Sequence, residues 1–298
     1  GGSAVNYELE ESAKGLKAGV DVTIAGGTIN IDSADDAIHS NNNVTINGGD
    51  ITAASGDDGV HADTTLTMNS GSLVITKAYE GIESATITLN GGSTTITADD
   101  DGVNGSGGVD GSSFNMGPGQ DRFGSGNAHL YVNGGYLYVD ARGDGIDING
   151  PIDMTGGTVI INGPTENMNG ALDYSNAFNL TGGYLLAVGS SGMAQVPSAS
   201  STQYVVMYNF DVQQVAGTLV HIETVVGTEI LTFAPTKAYQ SVVLSSPALT
   251  NGATYVVYTG GSSTSTATDG LYSGGTYSAG SQVASFTASG VVTTAGAA

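Results

Sequence analysis

A carboxylate returns about every 22 residues along the first two thirds of this chain. It stands in Asp35-Asp36-Ala37-Ile38-His39 and again in Asp57-Asp58-Gly59-Val60-His61. It recurs in Tyr79-Glu80-Gly81-Ile82-Glu83, Asp100-Asp101-Gly102-Val103-Asn104 and Gly143-Asp144-Gly145-Ile146-Asp147. Asn169-Gly170-Ala171-Leu172-Asp173 is a weak copy, and Ala13-Lys14-Gly15-Leu16-Lys17 is a copy with the charge reversed. From Lys14 through Asp36, Asp58, Glu80 and Asp101 the steps are 22, 22, 22 and 21 residues, and Asp144 follows 43 later.

Such a period, if each repeat is one stacked coil, sets like charges one strand spacing apart, about 4.8 Å. At that distance two carboxylates repel by about 3–4 kcal/mol at an effective dielectric near 20 and by about 1 kcal/mol in water. A column of them therefore calls for a counterion. Lys14 and Lys17 neutralise the head of the column, and no repeating Lys follows. Calcium fits best, because it is hard and takes 6–8 oxygens from carboxylates, carbonyls and water. The densest expected oxygen cluster is Asp99, Asp100 and Asp101 against Asp144 and Asp147. Asp57 and Asp58 against Glu80 and Glu83 come next, then Asp35 and Asp36 against Asp58. Stacked His39 and His61 suggest a zinc-type site, set against a hydrogen-bonded His pair. The bland alternative for the whole column is a solvated acidic edge.

Tyrosine supplies the second candidate chemistry. Tyr131, Tyr136 and Tyr138 alternate with Leu130, Val132, Leu137 and Val139, and Tyr184 falls in the column of Tyr136. Tyrosines on a flat sheet face can stack on sugar rings and hydrogen-bond their hydroxyls. The competing reading is that Tyr is a common exposed strand residue.

The elements that would position these residues follow from a second landmark. Glycine pairs stand at Gly26-Gly27, Gly48-Gly49, Gly91-Gly92, Gly134-Gly135, Gly156-Gly157 and Gly182-Gly183, with Ser70-Gly71 in the same series. Apolar residues sit four and two positions before each pair, as in Val44 and Ile46, and again after it, as in Ile51 and Ala53. Spacing of two on both sides of a turn marks half-buried strands. A third inward position falls in the acidic stretch, at Ile38, Val60, Ile82, Val103, Ile146 and Leu172. Three short strands in about 22 residues make one coil of a parallel β-helix. Asn47, Asn69, Asn90 and Asn133 precede the glycine pairs and should stack into a hydrogen-bonded column. Asn also tolerates left-handed turn geometry.

The reading is therefore all-β, with a parallel β-helix over residues 1–199 and a loop insertion near 105–127. From residue 200 the period is lost. Strand-like runs at 204–210, 218–224, 229–235, 240–246, 254–259 and 282–288 suggest antiparallel strands packed on or beside the solenoid. Residues 260–268 read as a polar loop. At the amino end, Val5–Glu10 could be a strand covering an edge of the first coil, or an edge of a neighbouring molecule. Heterologous end-to-end stacking would build a filament.

Composition bounds the partners. Acids number 28 against 6 Lys and Arg, a net charge of −22. Nucleic acid and anionic membrane are poor partners for such a surface. The absence of cysteine removes disulfide and thiolate-metal chemistry. No apolar run approaches 18 residues, so no membrane span is expected. No signal peptide is visible, and whether Gly1 is the mature start is left open.

The repeats VTIAGGTINIDSADDAIHS and VTINGGDITAASGDDGVHAD resemble a secreted bacterial family described as carbohydrate-binding-domain proteins, as do the tail segments GTLVHIETVVGTEILTFAP, YQSVV, VYTGGSS and GLYSGGTY. The resemblance implies a right-handed parallel β-helix similar in shape to pectate lyases. It implies calcium binding, a link to cellulose and acidic plant polysaccharide, and an extracellular or cell-surface location. The expected function is thus non-catalytic polysaccharide binding. A calcium-dependent lyase is the enzymatic alternative, needing a base beside the metal. Its candidates are Arg142, just before Asp144, and Lys77, just before Glu80, each with a simple ion pair as the competing role. A purely structural filament is the third reading.

Overall fold

The computed structural model describes residues 3, 13–106 and 127–297. Among these there is no helix. The expected edge strand at Val5–Glu10 and most of the expected insertion lie outside the described residues.

The period folds as read: a β-solenoid of about seven turns with about 22 residues per turn. Three parallel ladders run along it. The first links Leu16, Ile38, Val60, Ile82, Val103, Ile146 and Leu172 in register. The second links Val22, Val44, Leu66, Ile87, Leu130, Ile152 and Phe178. The third links Ile29, Ile51, Leu73, Thr94, Leu137, Val159 and Leu185. Because Val103 pairs directly with Ile146, the 43-residue step adds no coil to the stack. These inward side chains form one continuous core along the solenoid axis.

Two glycine roles differ from one another. The second member of each pair holds the left-handed backbone, with φ of +102° at Gly49 and +94° at Gly183. The residue before the pair is thereby spared that conformation, and where it is Asn, at 47, 69, 90 and 133, it spends its amide on the column. Asn69 donates to Asn47 at 2.8 Å, Asn90 to Asn69 at 2.8 Å and Asn133 to Asn90 at 2.9 Å. Gly59 serves close approach instead, since a Cβ there would lie 2.6 Å from the carbonyl oxygen of Gly81 and 2.6 Å from Ile75.

The C-terminal region continues the solenoid. Strand Tyr239–Ser245 pairs antiparallel with Tyr184–Gly189 of the last coil, and with Val205–Gln214 on its other side. Strand Val292–Gly296 then pairs parallel to Val205–Gln214, so this region is not antiparallel throughout. A separate six-stranded antiparallel sheet has Val220–Thr224 between Glu229–Phe233 and Thr254–Thr259. It encloses a second core in which Ile222, Phe233 and Tyr255 pack with Tyr138, Ile160 and Leu186 of the third ladder's outer face. The polar loop expected at 260–268 contains two short strands, Ser262–Ser263 and Ala267–Thr268.

Truncating Ile82→Ala removes a fully buried side chain from the axial core. It should cost about 2–5 kcal/mol. Val283→Ala, at a site 44% exposed, should change stability by less than about 0.5 kcal/mol. Denaturant unfolding of the two variants side by side checks this.

Candidate functional site

The register of the first ladder stacks the acidic stretches rung upon rung. Its outward column runs Lys17, His39, His61, Glu83, Asn104, Asp147, Asp173. Over the early coils the acidic stretches are not a solvated edge: Asp36 is 0% exposed, Asp58 3% and Glu83 7%, whereas Asp101 and Asp147 further along are half-buried. A buried carboxylate must find donors or a cation, and each rung solves this differently.

At the first rungs the partner is lysine. Lys14 Nζ lies 2.5 Å from Asp36 Oδ2 and 3.0 Å from Asp35 Oδ1. His39 Nδ1 sits 2.7 Å from the same Asp36 Oδ2, while Asp36 Oδ1 accepts the Asp58 backbone N–H at 3.2 Å. Asp57 joins Asp35 and Asp36 in one group of carboxylates whose ligand atoms lie within 4.8 Å of one another. The sequence had grouped it with Glu80 and Glu83.

In the middle the partner is histidine. His61 Nδ1 lies 3.0 Å from Asp58 Oδ2 and 2.9 Å from Glu83 Oε2, and its Nε2 lies 3.0 Å from Asp63 Oδ1. Both ring nitrogens face carboxyl oxygens, an arrangement the imidazolium satisfies by donating from both. Burial works against that charge, but the bonds to Asp58 and Glu83 outweigh it and lift His61 to about 11. Burial likewise opposes Glu83, yet its bond to His61 holds it below the usual glutamate range. Asp58 is pushed well up by burial. Glu80 is pushed up to about 9 by burial and then by Glu83, while accepting from Asn104 Nδ2 at 2.6 Å. The rings of His39 and His61 stack at 4.9 Å and 8°, as the period implies. Stacked face to face, they do not converge their nitrogens on one point, and each spends Nδ1 on the Asp three residues before it.

Further along, the partners are backbone amides alone. Asp101 Oδ1 accepts the Asp144 N–H at 2.6 Å, and Asp144 Oδ1 accepts the Gly170 N–H at 2.5 Å. Asp101, Asp144 and Asp147 bring carboxylate oxygens within 4.8 Å of one another. Among the described residues, no Lys, Arg or His pairs with any of the three. Burial, with Asp144 close by, pushes Asp101 up to about 8. Burial pushes Asp144 up to about 7, and burial with Asp173 pushes Asp147 to about 6. Asp100 lies on the turn beside them, its carbonyl accepting the Gly143 N–H at 2.9 Å. Asp99 turns to Arg142, 3.5 Å away.

The fit to calcium therefore differs among the clusters. An all-oxygen set without a protein cation suits a hard ion, and Asp101, Asp144 and Asp147 provide one. Lys14 already sits among the Asp35–Asp36–Asp57 oxygens, and His61 bridges Asp58 and Glu83 as a charge of its own. Neither proposed lyase base is poised as such: Arg142 faces Asp99, and Lys77 Nζ donates to the Ser3 carbonyl at 2.9 Å.

The tyrosine platform is corrected. Tyr138 is 8% exposed and, with its neighbours Tyr136 and Tyr184, packs into the second core under the C-terminal sheet. Tyr136 donates to Asp269 at 2.5 Å, and Tyr138 accepts from Asn162 at 3.2 Å. The cause is the third ladder's outer face, which turns apolar at Ile160 and Leu186 and is covered. Tyr131, on the second ladder, stays half-buried and stacks on His129 at 3.8 Å and 15°. Sequence reasoning missed Asp63 and Asp269. The Asp-x-x-His spacing, repeated at Asp36/His39 and Asp58/His61, was a readable sign of the first ion pairs. Asp269 gave no sign.

A family model described as a carbohydrate-binding domain-containing protein matches residues 1–59. That match covers the first acidic stretch, ends within the second at Gly59, and supports carbohydrate binding as the class of function. No curated protein and no solved structure matches the chain.

The raised carboxylates predict a pH dependence in the metal-free protein. Unfolded, these groups titrate near 4; folded, Asp147, Asp144 and Asp101 titrate at about 6, 7 and 8. Between those limits the folded state binds more protons, so stability falls as pH rises. Glu83 acts in the opposite sense, but only below its unfolded value. In chelator, the melting temperature should drop by several degrees from pH 5.5 to 8, and less in Asp144→Asn. A profile flat or rising over that range contradicts the assignment.

Proposed function

We propose that this chain is an extracellular, non-catalytic polysaccharide-binding β-solenoid that holds calcium in its acidic ladder. The observation that carries the binding reading is the family match over residues 1–59. Support for calcium comes from the chemistry of the donor set: three carboxylates, converging oxygens and no side-chain cation among the described residues. Asp101, Asp144 and Asp147 would hold the ion, with Asp100 adjacent. The ion would neutralise repulsion between stacked coils, and Asp58, Glu80 and Glu83 would remain a protonated and His61-paired segment. Assembly end to end into surface fibres is a further part of this reading, and cellulose or an acidic plant glycan is its ligand class.

Thermal melting in chelator and in millimolar calcium tests the metal. A ligand present at 100 times its dissociation constant stabilises by about 2.7 kcal/mol, so a clear upward shift is expected. Asp101→Asn/Asp147→Asn should lose most of it. An identical melting temperature with and without calcium rejects the metal site. Sedimentation with insoluble cellulose and with cross-linked polygalacturonate tests the binding, and a chain left in the supernatant of both rejects it.

A further inference from the structure

Three faces of the solenoid are available to a polysaccharide, and the molecule treats them differently. The first ladder's outer column is ionisable along most of its length, buried from His39 to Asn104 and half-buried at Asp147 and Asp173. The third ladder's outer face is covered by the C-terminal sheet from Tyr136 onward. The second ladder's outer face stays open, with alternating buried and half-buried residues along Asn43–Ala54, Val60–Met68, Ile82–Leu89 and His129–Val132.

We infer that the second ladder's outer face is the docking surface, and that its ligand is a neutral polysaccharide whose chains lie side by side. This rests on the polysaccharide-binding reading above and sharpens it to one face and one charge class. The centre of the face is a column of Thr45, Thr67, Thr88 and Tyr131, paired in register. Its rungs are one strand spacing apart, about 4.8 Å. The column of Asn amides bounds one side and is already hydrogen-bonded to itself. The Thr45, Thr67 and Thr88 hydroxyls, by contrast, make no hydrogen bond to any described residue. They form a row of spare donors and acceptors at a fixed pitch.

Charge selects the ligand. The chain carries −22, yet from the Asn43 strand to the Tyr131 strand this face presents Thr, Asn, one His and one Tyr, with Asp21 and Asp153 on the rungs at either end, each held by neighbouring side chains. His129 is held by Asp153 at 2.7 Å. A uronic acid polymer finds no cation here and meets repulsion from the rest of the surface. A neutral polymer meets neither. Shape selects the form: strands in register make a flat face rather than a cleft, which suits an ordered layer of chains better than a single soluble one. The stack on His129 fixes the Tyr131 ring, and an already rigid aromatic loses little entropy on binding.

The test compares sedimentation with insoluble cellulose and with cross-linked polygalacturonate for four proteins. These are the wild type, Thr45→Glu/Thr88→Glu, Tyr131→Ala, and a control, Thr52→Glu/Thr97→Glu, with the same added charge on the exposed part of the third ladder. Melting temperatures within a few degrees of wild type show that the variants fold. The inference expects wild-type binding to cellulose over polygalacturonate, at least a tenfold loss in the second-ladder variants, and full binding by the control. Second-ladder variants that bind cellulose like wild type overturn the face and leave the binding function standing. Preference for polygalacturonate overturns the neutral-ligand assignment. A wild type that sediments with neither polymer overturns both this inference and the function it rests on.

Discussion

Backbone hydrogen bonding between successive coils is the constraint on which the rest of the molecule depends. It sets the rise at one strand spacing, about 4.8 Å, and every side chain inherits that spacing from the residue one coil below. A period of about 22 residues thus converts any recurring residue type into a column. For Val, Ile and Leu this is favourable on every rung, and the axial core follows. For Asn it gives a self-satisfying amide ladder. For Asp and Glu it forces like charges together, and the solenoid must answer that on each rung.

The answers change along the axis. Lys14 neutralises the first carboxylates directly. His61 then serves two coils at once, because its Nδ1 lies within 3.0 Å of carboxylates on both. At Asp101 and Asp144 only the next coil's N–H groups remain, and burial raises both groups toward neutrality. A backbone amide satisfies one lone pair but supplies no net charge. The ladder is thus best compensated at its start and least at the coils on either side of the 43-residue step, which is where an external cation would have most to offer.

Much of this was legible in the residues. The three ladders pair in the register that the Gly pairs and apolar doublets imply, because a two-residue alternation leaves each strand one way to face the core. The column of His39, His61, Glu83, Asn104, Asp147 followed from the same count. What could not be read was depth. Periodicity tells which side chain points outward from a coil, not what lies over it. Tyr138 points outward from its coil and is nonetheless buried, since the six-stranded sheet covers Ile160 and Leu186 beside it. Asp269 meets Tyr136 from 133 residues away, across a region without a period. Backbone N–H partners are equally invisible, as every residue but Pro carries one.

The covered tyrosines and the open threonines have one origin. A solenoid offers several flat faces, and a sheet added at its end must pack on one of them. The third ladder accepts it where outward positions turn from Ser93 and Thr95 to Tyr136 and Tyr138, then to Ile160 and Leu186. The second ladder never makes that turn: its outward column goes from Thr88 to Tyr131, Asp153 and Asn179. Burying that column would strand hydroxyls without partners, at a cost of about 1–3 kcal/mol for each group, and would strip water from the Asp153 carboxylate that His129 and Asn179 hold. The same polarity that keeps the C-terminal sheet off this face keeps it wet, and a wet face with regularly spaced hydroxyls exchanges water for sugar hydroxyls at little net cost. Which face the chain uses to pack on itself thereby decides which face it has left for a ligand.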